Sequence, residues 1–313
     1  MSPAAPALAE IAERHGVAPA AVTAVQSGGE ANHVYFLGDR LVLRIARDRP
    51  AFVADLVKEA MIIPAVRELG VRTPAMIEFD DSGTVTATPY LVLERAPGGR
   101  PEVPERPTDD HWGRLYREVG AELAGLHRGA PHPAGSPLSG RSEIRVDSRE
   151  DPRDGIPALA AAGQLNAADV DWLITWFDRL AAIRPDDHQR TLIHGDLSPT
   201  NLLADPATAA LTAIIDWGDA AWADPATDFA KLPLRAVPYA LDGYLAALGV
   251  GDPEIARAWA SRILWQHLSW AINRLGSEPA AGAPHWSAPP ASRLLDLLRF
   301  FLTDPPSPWS ALR

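Results

Sequence analysis

Leu192-Ile193-His194-Gly195-Asp196-Leu197-Ser198-Pro199-Thr200-Asn201-Leu202-Leu203 is answered a few residues later by Ile214-Ile215-Asp216-Trp217-Gly218-Asp219. An apolar run leads into His-x-Asp, Asn201 lies five residues after Asp196, and a second apolar run, Leu211 to Ile215, delivers Asp216. The expectation is two short buried strands, each ending in a carboxylate, with an Asn on the loop between them. Three hard oxygen donors then meet in one place. Mg²⁺ bound to nucleotide phosphates needs such a place, because it takes one or two carboxylates plus phosphate oxygens rather than an all-protein cage. A lone His-Gly-Asp is commonly just a strand end with a helix cap. Asn201 at this offset, and a strand-borne Asp-Trp-Gly fifteen residues beyond it, fit that ordinary reading poorly.

The pairing of His-x-Asp-x₄-Asn with Asp-x-Gly is the layout of a kinase catalytic loop and its metal-binding Asp. In that layout Asp196 accepts the proton of a substrate hydroxyl, while Asn201 and Asp216 hold metal. Taken together, His194 to Leu203, Ile214 to Asp219 and Asp224-Pro225-Ala226-Thr227-Asp228-Phe229-Ala230 resemble the aminoglycoside phosphotransferase family. The resemblance runs from about Gln26 to Leu232 and fades beyond. It implies a protein-kinase-like α+β fold with a small antiparallel-sheet N-lobe, a larger and mainly helical C-lobe, and the site between them. The loop departs from the commonest family form at Ser198, where His is frequent, and at Thr200, where Gly is frequent. Neither is a catalytic position.

The chain has 313 residues, no Cys and a net charge of −11. Its length suits two lobes with a sizeable core. Without Cys there is no disulfide framework and no thiol chemistry. The Ala/Pro-rich start, Met1 to Glu10, lacks the basic and apolar regions of a signal peptide, and no stretch is long enough to span a membrane, so a cytoplasmic enzyme is expected. The acidic balance argues against nucleic acid as a partner.

Residues 1–95 read as an N-lobe that binds nucleotide, 96–99 as a hinge, and 100–313 as a C-lobe carrying the catalytic loop, the metal site and the substrate pocket. A helix over Pro6 to His15 precedes a three-strand meander: Ala21 to Gln26, His33 to Leu37 and Leu41 to Ile45. The turn Ser27 to Asn32 contains Gly28 and Gly29. It is either a plain hairpin turn or a flap whose backbone N–H groups, with Asn32 at its end, face nucleotide phosphates. Kinases place a Lys on the third strand to hold phosphates. Here Arg44 takes that position, keeps the charge and can fork onto phosphate oxygens. Lys58 falls on the next helix, Ala54 to Leu69, and Lys231 lies far downstream, so neither substitutes for it. Glu59 on that helix is the candidate ion-pair partner of Arg44, although a helical Glu is more often plain surface. Strands over Met76 to Phe79 and Thr88 to Glu94 follow. Glu94 to Gly99 then forms the hinge, where the resemblance implies that backbone groups of Glu94, Arg95 or Ala96 bond the purine edge.

Helices are expected over Asp110 to His127, with Trp112, Leu115, Val119, Leu123 and Leu126 on one stripe, and over Asp171 to Ile183. Between them, Gly129 to Gly155 has no periodicity and reads as a long surface loop. His127 is structural in this reading. Asp228 follows Asp216 by only twelve positions, which leaves no room for an activation segment or a peptide shelf. The acceptor is therefore a small molecule and not a protein. Asp228 itself is expected to cap a helix and bond the backbone of the catalytic loop.

The helix Pro253 to Leu275 carries Trp259, Ile263, Gln266, Trp270 and Asn273 at three- and four-residue steps. This is either a core stripe with polar interruptions or a substrate wall on which indole faces meet a sugar or macrocycle. In the second case Asp219, Gln266, His267, Trp270 and Asn273 face the acceptor. Trp265, Trp286 and Trp309 add to the aromatic character of this third, and only Glu254 supplies a carboxylate on the helix. A final helix spans Ala291 to Leu302. The expected cofactors are Mg²⁺ and ATP or GTP, and the expected reaction is γ-phosphoryl transfer to a hydroxyl of a small molecule. The resemblance points to an antibiotic of aminoglycoside or macrolide type. The alternatives are a metabolic kinase acting on choline, homoserine or a sugar, and a non-catalytic nucleotide-binding protein of the same fold. A hydrolase using Asp216 and Asp219 as a metal pair is a further class, disfavoured because no His joins them.

Overall fold

Strand periodicity and turn chemistry in the first hundred residues build one antiparallel sheet. The computed structural model describes residues 3–25, 29–101, 110–132, 138–148, 150–183, 189–278, 290–303, 305 and 307–312. Gly28, the end of the first expected strand at Gln26 and the tryptophan at Trp286 lie outside the described residues. Helix α1 (Ala5–Arg14) covers a sheet whose strands are β1 (Val22–Ala24), β2 (Asn32–Leu37) and β3 (Leu41–Ala46). Helix α2 (Pro50–Glu68) follows, then β4 (Met76–Asp80) and β5 (Tyr90–Glu94). The strand order is β1-β2-β3-β5-β4, antiparallel throughout. A core of Ile11, Leu37, Leu43, Ile45, Tyr90 and Val92 lies between α1 and the sheet. α2 begins four residues earlier than its periodicity suggested, because Pro50 sits at the first helical turn, where its missing N–H costs nothing.

The larger lobe is helical: α3 (Asp110–Gly129), α4 (Ile156–Ala161) and α5 (Ala167–Ala181) precede four short strands. These are β6 (Thr191–Ile193), β7 (Leu202–Ala204), β8 (Leu211–Ile214) and β9 (Ala221–Ala223). Helices α6 (Val237–Leu248), α7 (Pro253–Leu275) and α8 (Ser292–Leu302) complete it. The expected stripe on α3 is buried in full, from Trp112 to Leu126. α5 starts before Asp171 because Asn166 and Asp169 form a reciprocal capping box. The expected loop before it is more structured than its composition implied. Val146 bridges Trp222, with Trp222 N donating to Arg145 O at 2.9 Å and Asp147 N to Trp222 O at 2.8 Å.

The strand delivering Asp196 and the strand delivering Asp216 do not pair with each other. β6 pairs with β9 and β7 with β8, each antiparallel. The two carboxylates therefore leave adjacent ribbons. The connector between α2 and β4 is rooted in the helical lobe: Arg72 holds Glu122 at 2.6 Å, Glu118 at 2.8 Å and Leu211 O at 2.7 Å. Among the described residues, no helix is long and apolar enough to cross a membrane.

Candidate active site

The catalytic loop begins at a residue no side chain could replace. Gly195 has φ +82°, and a Cβ there would run into the backbone carbonyl of Asp219. The chain turns sharply at this point and presents Asp196 at the end of β6. His194 is fully buried and joins both ribbons: its Nε2 lies 3.0 Å from Ile215 O and its Nδ1 3.2 Å from Asp196 N. In this arrangement Nε2 can donate to Ile215 O while Nδ1 accepts from Asp196 N. Asn201 fixes Asp196. Its Nδ2 donates to the Asp196 backbone carbonyl and to Asp196 Oδ2, both at 2.8 Å. Ile215 N donates to Asn201 O at 3.0 Å, which ties the Asp216 segment to the loop.

Asp228 supports the loop from beneath. It is buried, and its two oxygens accept from His194 N at 2.9 Å and Gly195 N at 2.8 Å. His127 Nε2 lies 3.0 Å from Asp228, and the other ring nitrogen is 3.2 Å from Tyr244 Oη. Burial alone would push Asp228 up, but the hydrogen bond and charge of His127, together with His194 and the Gly195 N–H, hold the carboxyl below its ordinary range. The structural reading of His127 is correct. Asp228 bonds the loop backbone as expected, but the cap of its 3₁₀ turn is Asp224, which accepts from Ala226 N.

Asp216 occupies the left-handed region, φ 72° and ψ 68°, a conformation costly for a non-glycine residue. Its Oδ1 accepts from Arg44 Nη2 at 2.7 Å, and Arg44 Nη1 meets Glu59 Oε1 at 2.5 Å. Arg44 on β3, Glu59 on α2 and Asp216 thus form one network, closed by Trp217 N on Glu59 at 3.3 Å. Burial pushes the Glu59 carboxyl up to about 7 against the pull of Arg44. For Asp216 the balance is reversed: burial raises it, yet the charge and hydrogen bond of Arg44 leave it lowered.

Gly29 is described with φ +92° and open space around it, and Asn32, at the start of β2, is buried with its Oδ1 unpaired among the described residues. At the end of β5, Glu94 N donates to Ala75 O and Arg95 N to Arg40 O. Ala96 N–H has no hydrogen bond among the described residues. Gly98, φ +90°, packs so closely on Ala204 O that a Cβ would clash, and Gly99 and Ala204 exchange both backbone bonds, at 3.0 and 2.8 Å.

The acceptor side requires corrections. His267 is 0% exposed and its Nδ1 bonds Arg293, with burial and that guanidinium pushing its pKa well down, so it cannot touch a substrate. Trp265 and Trp309 are core residues, and Trp259 packs on Tyr244 with ring centroids 4.8 Å apart. The wall therefore reduces to Gln266, Trp270 and Asn273, which retain exposed surface on one face of α7, together with exposed Asp219. One residue escaped the sequence reading. Lys231 Nζ lies 2.5 Å from Asp196 Oδ1 and 5.5 Å from the Trp270 ring centroid. Its rarity was the available signal, since Lys58 and Lys231 are the only lysines in the chain.

A five-stranded sheet over a helical lobe, with a loop-borne Asp held by an Asn and facing a second Asp, is the architecture of a kinase-like phosphotransferase. The family model described as the phosphotransferase enzyme family matches residues 22–261, and the chain belongs to that family. It is 29% identical over 247 residues to an aminoglycoside 3'-phosphotransferase of Streptomyces ribosidificus, covering 77% of this chain and 85% of the relative. The fold is similar to that of an aminoglycoside 2'-phosphotransferase solved with GDP (TM-score 0.62, 20% identity, 89% of this chain and 92% of the other). It is also similar to a macrolide 2'-phosphotransferase from Brachybacterium faecium (TM-score 0.57, 23% identity, 86% and 90%).

Proposed function

We propose that this chain transfers the γ-phosphoryl group of Mg-ATP or Mg-GTP to a hydroxyl of an antibiotic, of aminoglycoside or macrolide type. The observation that carries the reading is the fixing of Asp196 Oδ2 and its backbone carbonyl by one Asn201 amide. That grip aims a carboxylate without consuming its second oxygen, as a general base requires. The acceptor oxygen attacks the γ-phosphorus, Asp196 takes its proton, and the bond to the bridging oxygen breaks with its electrons staying on the diphosphate.

The donor set suits Mg²⁺. With Asn201 Nδ2 committed to Asp196 and Asp216 Oδ1 to Arg44, the Asn201 amide oxygen and Asp216 Oδ2 remain as hard ligands. Mg²⁺ takes one or two protein oxygens and fills its remaining positions with phosphate oxygens and water. When bound, the ion neutralises charge on the β- and γ-phosphates. Arg44 binds phosphate oxygens and Glu59 orients it. Gly29 and Asn32 border the flap over the phosphates. At the hinge, the Glu94 carbonyl and the Ala96 N–H are the groups left for the purine edge. Trp270, Gln266, Asn273 and Asp219 border the acceptor. The helix behind them has no carboxylate past Glu254, which favours a weakly charged macrocycle or sugar over a polycation.

The test is transfer of labelled phosphate from ATP and GTP across a panel of macrolides, aminoglycosides, choline, homoserine and sugars. A macrolide or aminoglycoside is expected as best acceptor, with Asp196→Asn lowering kcat by about 10²–10⁴. A best acceptor among the metabolic alcohols would replace the antibiotic reading. Retention of half the turnover by the Asn variant would remove Asp196 as the base.

A further inference from the structure

Asp196 has both carboxylate oxygens engaged. Asn201 holds Oδ2 through an amide that also bonds the Asp196 backbone, so releasing it breaks two hydrogen bonds. Lys231 holds Oδ1 through its ammonium alone, at 2.5 Å. An ammonium on Oδ1 stands where the acceptor hydroxyl has to approach, so the two compete for that oxygen. Lys231 is the one able to move. Its charge is a compact point on a flexible four-carbon stem, and its side chain keeps 27% exposure. Its backbone follows Asp228, whose bonds to His194 N and Gly195 N anchor this segment to the catalytic loop.

Where the ammonium goes follows from the reaction geometry. A general base sits within about 2.6–3.2 Å of the attacking oxygen. That oxygen sits about 3–3.5 Å from the phosphorus in a near-attack arrangement. The γ-phosphoryl oxygens therefore lie within a few ångströms of Asp196 Oδ1, inside the sweep of a lysine already touching that atom. The charge of the transferring group is spread over its equatorial oxygens and calls for a cation there. Arg44 is tied to Glu59 and Asp216 on the far side of the site.

Resting on the phosphotransfer reading above, we propose that Lys231 is a catalytic residue that exchanges Asp196 for the γ-phosphoryl group, so that an arriving triphosphate uncaps the base. Lys231 then stabilises the group in transit, while the acceptor proton passes to the vacated Oδ1. A diphosphate offers no γ-oxygen, and the base stays capped.

The test needs no acceptor. Calorimetry compares Mg-bound β,γ-imido triphosphate with the diphosphate on wild type, Lys231→Met and Lys231→Arg, each checked for an unchanged melting temperature. The Met variant is expected to lose about tenfold or more in triphosphate affinity, to keep its diphosphate affinity within about twofold, and to regain part of the loss as Arg. Equal losses for both nucleotides, or no loss for either, would overturn the assignment while leaving phosphotransfer standing. A wild type that binds neither nucleotide would overturn both.

Discussion

Two aspartates flank the catalytic loop and differ in how completely they are satisfied. Asp228 is buried, takes two backbone N–H groups and a histidine, and has no exposed oxygen to offer a ligand. Asp216 sits in a strained backbone conformation with one oxygen on Arg44 and its side chain 47% exposed. The first network is closed and fixes geometry. The second leaves much of the Asp216 carboxylate exposed. Strain at Asp216 persists because Ile215 and Trp217 on either side are bonded to Asn201 and Glu59.

The largest expected effect comes from opening the closed network. Asp228→Asn should cost about 3 kcal/mol or more of stability, because one backbone donor then faces an NH₂ group in a buried site. The pH dependence should change as well. A carboxyl held low in the fold contributes stability above its unfolded value of about 4 and loses it as pH falls through the folded value. Wild type should therefore weaken on acidification below about pH 4, and the Asn variant should show a shallower slope in chemical denaturation at several pH values. An unchanged slope would mean that Asp228 is not the group that stores this stability.

Removing the open network should act on the ligand instead. Asp216→Ala is expected to leave folding nearly intact, since Arg44 keeps Glu59, and to weaken Mg-nucleotide binding on the order of a hundredfold by calorimetry. Loss of stability without loss of affinity would invert the comparison. A smaller effect, about tenfold in nucleotide affinity, is expected for Arg44→Ala, with Arg44→Lys closer to wild type and Glu59→Ala milder still. The smallest belongs to Trp270→Ala, which should raise the acceptor KM a few-fold at unchanged melting temperature, whereas Trp259→Ala should cost about 3 kcal/mol as a packed aromatic. Equal stability losses at the two tryptophans would return Trp270 to the core.

The parts legible in sequence were those where chemistry fixes spacing. His194, Asp196, Asn201 and Asp216 come from two short stretches whose offsets leave few alternatives, and the strands and helices around them carry clean periodicity. Arg44 and Glu59 were legible only as candidates, a strand Arg and a helical Glu that sequence alone leaves as surface residues just as readily, and the structure joins them. The failures have a common physical origin. α7 is buried on more than one side, with Ile263, Leu264, Trp265, His267 and Leu268 all in the core. Periodicity could not tell its cleft face from its core faces, and His267, offered as an acceptor contact, lies in the core. Lys231 was missed because its meeting with Asp196 spans 35 positions and depends on a turn that only tertiary bonds define. The pairing of β6 with β9 and β7 with β8 was equally hidden, since three-residue strands carry almost no register information.

The backbone exchange between Gly99 and Ala204 joins the segment after β5 to the ribbon that follows Asn201. A pivot needs free torsions, and these two residues have surrendered theirs to a strand that leaves Asn201 directly. Pro97 O is held as well, by Thr212 Oγ1 at 2.7 Å, so the restraint extends upstream of Gly98. Any rotation of the sheet lobe moves Arg44 relative to Asp216, while the distance from Ala204 to the catalytic loop stays constant. The molecule resembles a press whose anvil carries Asp196, Asn201 and the hinge's far end as a single casting, and whose stroke is measured at Arg44.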